Sequence, residues 1–268
     1  MAALADIFIH PVKSCAPLGV EQANVHSRGL EHDRRWMLVD VDGKFVTARQ
    51  QPRLLRVHPV PTDRGLRLEA PGMPALTLEA APAGETLSVR VWKDEVDALA
   101  ADAAADDWFS TYLGRPVRLV HMDASVVRRN GSSHAQAGDE VSFADSMPLL
   151  LVSQASLDAL NRRLDRPVPM GRFRPNLVVD GVDVHAEDSW TQVTIGDVVF
   201  DVAKPCVRCV LVTIDAFTGD KDAGGEPLRT LTTYRRGEKG VSFGQLLIPR
   251  SGGRLRVGDS VIPSQTKA

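Results

Sequence analysis

Two cysteines three positions apart, Cys206 and Cys209, lie in the segment Pro205-Cys206-Val207-Arg208-Cys209. Such a pair suits several kinds of chemistry. A structural zinc ion needs two further ligands at matching spacing, and the sequence has no second C-x-x-C and no H-x-x-x-H. A thioredoxin-type dithiol opens a helix after a strand. Here the pair is followed by Val210-Leu211-Val212-Thr213-Ile214, which reads as a buried strand. Two buried cysteines acting as small hydrophobes is the structural reading that stays open. Arg208 adds a cation beside the pair, and Lys204 a second. A cation favours the thiolate, which is the form that ligates metal. Soft thiolate sulfur suits soft or high-valent metal centres.

Further basic and small polar groups sit in turn-like text. Lys13-Ser14 follow a strand end at Pro11-Val12, Arg34 lies in Asp33-Arg34-Arg35-Trp36, and Arg172-Phe173-Arg174-Pro175-Asn176 precedes an apolar run. Each alone reads equally as a solvated surface group. Together they have the chemistry of a phosphate cage.

The elements that must position these groups are mostly strands. Ile7 to Val12 is short and β-prone, with Pro11 at an edge or end. Trp36–Val39 and Phe45–Thr47 flank Asp42-Gly43, a hairpin signal. Leu66–Glu69 and Leu76–Glu79 form a second hairpin around Pro71-Gly72. Ser88–Trp92 and Glu95–Leu99 form a third, turning at Lys93-Asp94. A helix follows over Ala103 to Leu113, stopped by Gly114, and then a strand over Val117 to Val120. Arg128 to Ala135 reads as a linker or a mobile loop. Beyond it come the strand Leu149–Val152, a helix capped by Ser153 with Leu157, Leu160 and Leu164 on one face, and strands at Asn176–Val179, Thr191–Ile195 and Val198–Val202. Pro227 fits N1 of a short helix, and Gln245–Ile248 and Ser260–Ile262 return to strand. The expected fold class is mainly β (α+β): two linked β-barrel-like parts with a few short helices, residues 1–122 and 123–268.

Composition narrows the setting. The chain has 268 residues, 43% hydrophobic and 25% charged, which is ordinary for a globular protein. A net charge of −2 points to no nucleic-acid partner. Three cysteines do not make a disulfide scaffold. The amino terminus lacks the basic and apolar regions of a signal peptide, and no apolar run approaches the roughly 18 residues that cross a bilayer. A cytoplasmic protein without membrane contact is expected.

Several of these segments, in order, carry a family resemblance. Ile9-His10-Pro11-Val12-Lys13-Ser14-Cys15, Asp33-Arg34-Arg35-Trp36 and Val46-Thr47-Ala48-Arg49-Gln50 resemble the MOSC amino-terminal β-barrel domain. Phe173-Arg174-Pro175-Asn176, Glu187-Asp188-Ser189-Trp190, Ile195-Gly196-Asp197, Pro205 to Cys209 and Thr213-Ile214-Asp215 resemble the MOSC domain itself. The likeness runs over nearly the whole chain and is nearest to the amidoxime-reducing proteins of mitochondria and their bacterial counterparts.

The resemblance implies a molybdenum cofactor, molybdenum held by the dithiolene of molybdopterin, with Cys209 as the protein's metal ligand. It implies that Lys13, Ser14, Arg34, Arg174 and Asn176 hold the pterin and its terminal phosphate, with Asp145, Ser146 and Arg208 at weaker, nearby positions. The chemistry implied is two-electron reduction of N-hydroxylated compounds (amidoximes, hydroxylamines, N-hydroxylated purines) to amines or amidines and water. Asp215 is a candidate proton relay, against its reading as a turn residue. The family also carries pyridoxal phosphate binding as a family-level term. An alternative is a non-catalytic carrier of the cofactor or of sulfur, and another is a cysteine-pair redox protein.

The chain departs from the family at Val207, where relatives can carry a small polar residue. It has no further cysteines after Cys209 for an iron–sulfur cluster, and no counterpart of the mitochondrial relatives' membrane anchor. Electrons are therefore expected from a separate donor protein, ferredoxin-, flavodoxin- or cytochrome-b5-like with its reductase, acting on a monomer.

Overall fold

The computed structural model describes residues 1–79 and 85–266. Strands dominate, with three α-helices among the described residues. The largest sheet has nine strands, eight of them in the order Val261–Thr266, Trp190–Ile195, Val198–Val207, Gly240–Pro249, Leu149–Ser153, Leu177–Asp180, Ala3–Ile9 and Leu18–Val20. It curls until its ends meet. Ala3 bridges Ser260, Leu4 N donates to Asp259 O at 2.8 Å, and Val261 N donates to Ala2 O at 3.1 Å. Closure removes exposed edges and encloses one apolar face. That interior holds Leu4, Ile7, Leu151, Leu177, Val193, Phe200 and Leu247, all essentially inaccessible. The alternation of buried and half-buried residues from Val198 to Ala203 is the period of two that a barrel wall requires.

The first strand of the chain thus completes a barrel made mostly from its last third. Residues 10–15 then cross to a second curled sheet, marked by the bridge of Val12 to Trp36. This sheet runs Trp36–Val39, Arg118–His121, Asp94–Ala100, Thr86–Val91. Residues 43–46 close it: Arg90 N donates to Gly43 O at 2.8 Å and Val46 N to Leu38 O at 2.7 Å. A three-stranded meander, His58–Thr62, Gly65–Glu69 and Leu76–Glu79, packs with the helix Ala103–Leu113. Asp102 caps that helix by accepting from Ala104 N, and Gly114 ends it at φ 68°. The helix Gln154–Asn161, capped by Ser153, joins the sheet's one parallel pair, Leu149–Ser153 and Leu177–Asp180.

The structure departs from the sequence reading in five places. Val210 to Ile214, read as a strand, is instead a 3-10 turn over Val210–Thr213 followed by Ile214. Pairing with Gly240–Pro249 ends at Val207–Ser242 and at the Arg208 N to Val241 O bond, so no partner strand remains. The apolar residues instead divide between two cores: Val212 packs with Phe173 and Phe243, Ile214 with Val12 and Leu54. Packing overrides β-propensity. Phe45–Thr47 makes bridges, not a strand. The third hairpin turns at Trp92-Lys93, because Val91 pairs with Asp94. Leu164 lies beyond the helix it was assigned to, and Pro227 caps the helix Leu228–Tyr234 from just outside it.

Candidate functional site

The crossing segment and the two curled sheets enclose a cavity of about 830 Å³. Its wall includes Lys13, Ser14, Arg34, Asp145, Ser146, Arg174, Asn176, Arg208 and Cys209. Asp215 does not line it. Its carboxylate accepts from Phe217 N at 2.8 Å and Thr218 N at 3.2 Å, and from Arg172 Nη2 at 2.9 Å, so it closes its own turn and anchors Arg172. That is the turn-residue reading of Asp215.

The cage is built on strained backbone. Ser14 has φ 73°, Arg34 φ 53° and Arg174 φ 57°, all in the left-handed region. This conformation costs a non-glycine residue about 1–2 kcal/mol, and surrounding structure must impose it. Here it turns three polar side chains into one space. Arg34 Nη1 donates to Asp33 and, at 3.1 Å, to Asn176 Oδ1. Asn176 is fully buried, accepts from Leu150 N at 3.2 Å and donates Nδ2 to Phe8 O at 3.1 Å. Its amide is therefore committed to placing Arg34. Arg174 differs. Among the described residues its guanidinium has no hydrogen bond or ion pair, and burial, then the Arg34 charge, pull its pKa down to about 10. An arginine held charged, half-buried and unpaired has its donors free for an anion. The Ser14 hydroxyl likewise has no protein partner among the described residues.

Lys13 is 5% exposed, and its Nζ donates to Phe143 O at 2.7 Å and to Asp145. Burial pulls its pKa down to about 8, against the carboxylate of Asp145, which holds it up. The Asp145 carboxyl is pushed up by burial but held far below the usual range by Lys13 and Arg49. Behind the cage, His10 is fully buried. Its backbone N donates to Asp33 Oδ1 at 2.7 Å and its Nε2 to Pro175 O at 3.1 Å, with a pKa well below normal from burial and then Arg174 and Arg34. A neutral imidazole there ties the crossing segment to the Arg174 turn without adding charge.

Cys209 ends up exposed and Cys206 half-buried; both thiols are free. Arg208 does not serve Cys209 as its place in the chain suggests. Its Nη1 donates to Cys206 Sγ at 2.9 Å and its Nη2 to Phe173 O at 2.7 Å. The cation at Cys209 is Arg49, whose Nε lies 3.5 Å from Sγ. Arg49 lies in the segment Val46-Thr47-Ala48-Arg49-Gln50 but is not among the residues that sequence alone marks as site candidates. No local pattern marks it, because its partner is 160 residues away. Trp92, read as a strand residue, is half-exposed in the turn and donates Nε1 to Asp145 at 3.2 Å.

Seven cations line the cavity against two carboxylates, Asp145 and Glu238. Among the described residues no three His, Cys, Asp or Glu side chains come together as an all-protein metal site would require. One exposed cysteine sulfur in a cation-rich cavity with an unpaired Arg174 suits an anionic group that brings its own metal and most of its donors.

The chain resembles known proteins along most of its length. Residues 1–116 match the MOSC N-terminal beta barrel domain and residues 138–262 the MOSC domain. The chain is 36% identical to mitochondrial amidoxime-reducing component 1 of Mus musculus, over 96% of this chain and 81% of the relative. It is 34% identical to the same protein of Homo sapiens, over 96% and 82%, and 36% to mitochondrial amidoxime reducing component 2 of Rattus norvegicus, over 96% and 82%. No described helix is long and apolar enough to cross a membrane. On matches of this length and identity, the chain belongs to the family of MOSC-domain proteins with a MOSC N-terminal beta barrel that includes the mitochondrial amidoxime-reducing components.

Proposed function

We propose that this protein is a molybdenum-cofactor oxidoreductase that reduces N-hydroxylated compounds to amines or amidines. One observation carries the reading: the exposed Cys209 sulfur opens into the same cavity as the unpaired Arg174 guanidinium. A ligand spanning the two has a metal-binding end and an anionic end, and a pterin dithiolene with a terminal phosphate is such a ligand. When bound, the group supplies two-electron transfer to the N–O bond.

The chain's own residues bind and orient. Arg174, Arg34, Lys13 and Ser14 hold the phosphate and pterin, with Asn176 fixing Arg34. Asp145 keeps Lys13 charged, and Ser146 offers a hydroxyl beside it. Arg208 braces Cys206 and the Phe173 carbonyl, which steadies the strand end that presents Cys209. Asp215 has no place in this scheme. Electrons come from a separate ferredoxin-, flavodoxin- or cytochrome-b5-like protein; the parts 1–122 and 123–268 do not act apart, because Ala3–Ile9 completes the second part's barrel and both parts line the cavity.

The test is molybdenum content after gentle purification from a host that makes the cofactor, followed by benzamidoxime reduction with a chemical electron donor. Near-stoichiometric metal with turnover is expected. Cys209→Ala should empty the protein and Cys206→Ala should leave most of the metal. Metal without turnover favours a cofactor carrier, and emptying by Cys206→Ala alone overturns the ligand assignment.

A further inference from the structure

Arg49 differs from the other cations of the cavity in being shared among three partners. Its Nε points at Cys209 Sγ at 3.5 Å, its Nη2 donates to Asp145 Oδ2 at 2.6 Å, and its guanidinium lies 5.1 Å from the Trp92 ring centroid. Asp145 in turn accepts from Lys13 and from Trp92 Nε1. Trp92 sits at φ 58°, a costly conformation for a bulky aromatic, and is half-exposed. Apart from a ring contact with Phe45 at 5.1 Å, its interactions serve Arg49 and Asp145. Strain and exposure at a residue that grips two others mark a brace.

The braced object is the sulfur. A cysteine side chain chooses among three staggered rotamers, and an exposed one has little packing to select between them. Among the described residues, Arg49 is the hydrogen-bond partner of Cys209 Sγ. We infer that Arg49 is the positioning residue for Cys209: it holds the sulfur in one orientation at the cavity mouth, with Asp145 and the Trp92 face fixing the guanidinium. Only arginine fits this role. Its planar fork reaches a carboxylate and a sulfur at once, whereas a lysine ammonium cannot keep both contacts in the same geometry. The first half of the chain thereby sets the geometry of a sulfur in the second half.

The inference deepens the proposed function and rests on Cys209 as the metal-holding sulfur, so its test has a metal-free arm. In metal-free protein, the rate of Cys209 alkylation at neutral pH, mapped by mass, is compared for the unmodified chain, Arg49→Lys and Arg49→Gln. Unfolding midpoints are recorded alongside. In cofactor-loaded protein, molybdenum per chain and the Mo(V) paramagnetic resonance spectrum are read for the same chains and for Cys209→Ala.

Arg49→Gln is expected to slow alkylation several-fold, to weaken molybdenum retention by about 10-fold or more as loss of an outer partner of a ligand does, and to turn one Mo(V) species into a mixture. Arg49→Lys is expected to restore part of the alkylation rate but not the single Mo(V) species. Alkylation and spectrum in Arg49→Gln that match the unmodified chain overturn the positioning role. Retention of molybdenum by Cys209→Ala overturns Cys209 as the metal-holding sulfur instead, and leaves the alkylation arm to decide on Arg49.

Discussion

Lys13 offers a direct measurement of the electrostatic strain in the cage. Its side chain is 6% exposed, and burial lowers its pKa from 10.5 to about 8 despite the adjoining Asp145 carboxylate. In the unfolded chain it titrates near 10.5, so between pH 8 and 10.5 the unfolded state binds more protons than the folded one. Stability must then rise with pH across that window. At about 1.4 kcal/mol per tenfold change in proton affinity, the gain approaches 3 kcal/mol for the full interval. Below pH 8 both states carry the proton and the cost of burying the ammonium is constant.

The perturbation is Lys13→Met, which keeps the length of the side chain and removes the titration. Asp145 retains Arg49 and is itself 43% exposed, so it is not left as an isolated buried charge. The assay is urea unfolding of metal-free protein at closely spaced pH values. Arg174 and other groups titrate in the same region, and the difference between the two chains removes their contribution. The expected difference grows by about 3 kcal/mol from pH 8 to 10.5. Parallel stability curves for Lys13→Met and the unmodified chain would refute a buried, charge-strained Lys13.

Two other substitutions separate strain from function. Arg174→Gly relieves a left-handed backbone and should stabilise metal-free protein by about 1 kcal/mol in denaturant unfolding, while weakening binding of inorganic pyrophosphate by about 10-fold through loss of the unpaired guanidinium. A loss of stability in Arg174→Gly would show that its side chain supports the fold. Gly244 has φ 79°, and an added Cβ would lie 2.7 Å from Leu151 O, so Gly244→Ala should cost about 2–3 kcal/mol of stability. The clash falls between two barrel strands, and a fall in the denaturant-unfolding midpoint of metal-free protein checks it.

Much of this molecule is local in origin and therefore legible in the chain. The helix Ala103–Leu113 is specified by Asp102, by the apolar spacing of Trp108, Phe109 and Tyr112, and by Gly114. The hairpins at 65–79 and 86–100 follow from alternation around turn residues. The cage residues stand in motifs that occur in order along the chain, although spacing alone does not bring them together.

What the tertiary structure decided is whatever depends on partners distant in the chain. Val210 to Ile214 has the composition of a strand, but the sheet offers it no neighbour, and Val212 and Ile214 are taken into two different cores. Asp215 has the chemistry of a relay, but its carboxylate is spent on its own turn and on Arg172. Arg208 stands next to Cys209 in the chain, yet an extended backbone sends successive side chains to opposite faces, and its guanidinium reaches Cys206. The cation that reaches Cys209 comes from residue 49, brought there by the closure of one curled sheet against another. Residue types determine which interactions are available, and barrel closure determines which of them are made.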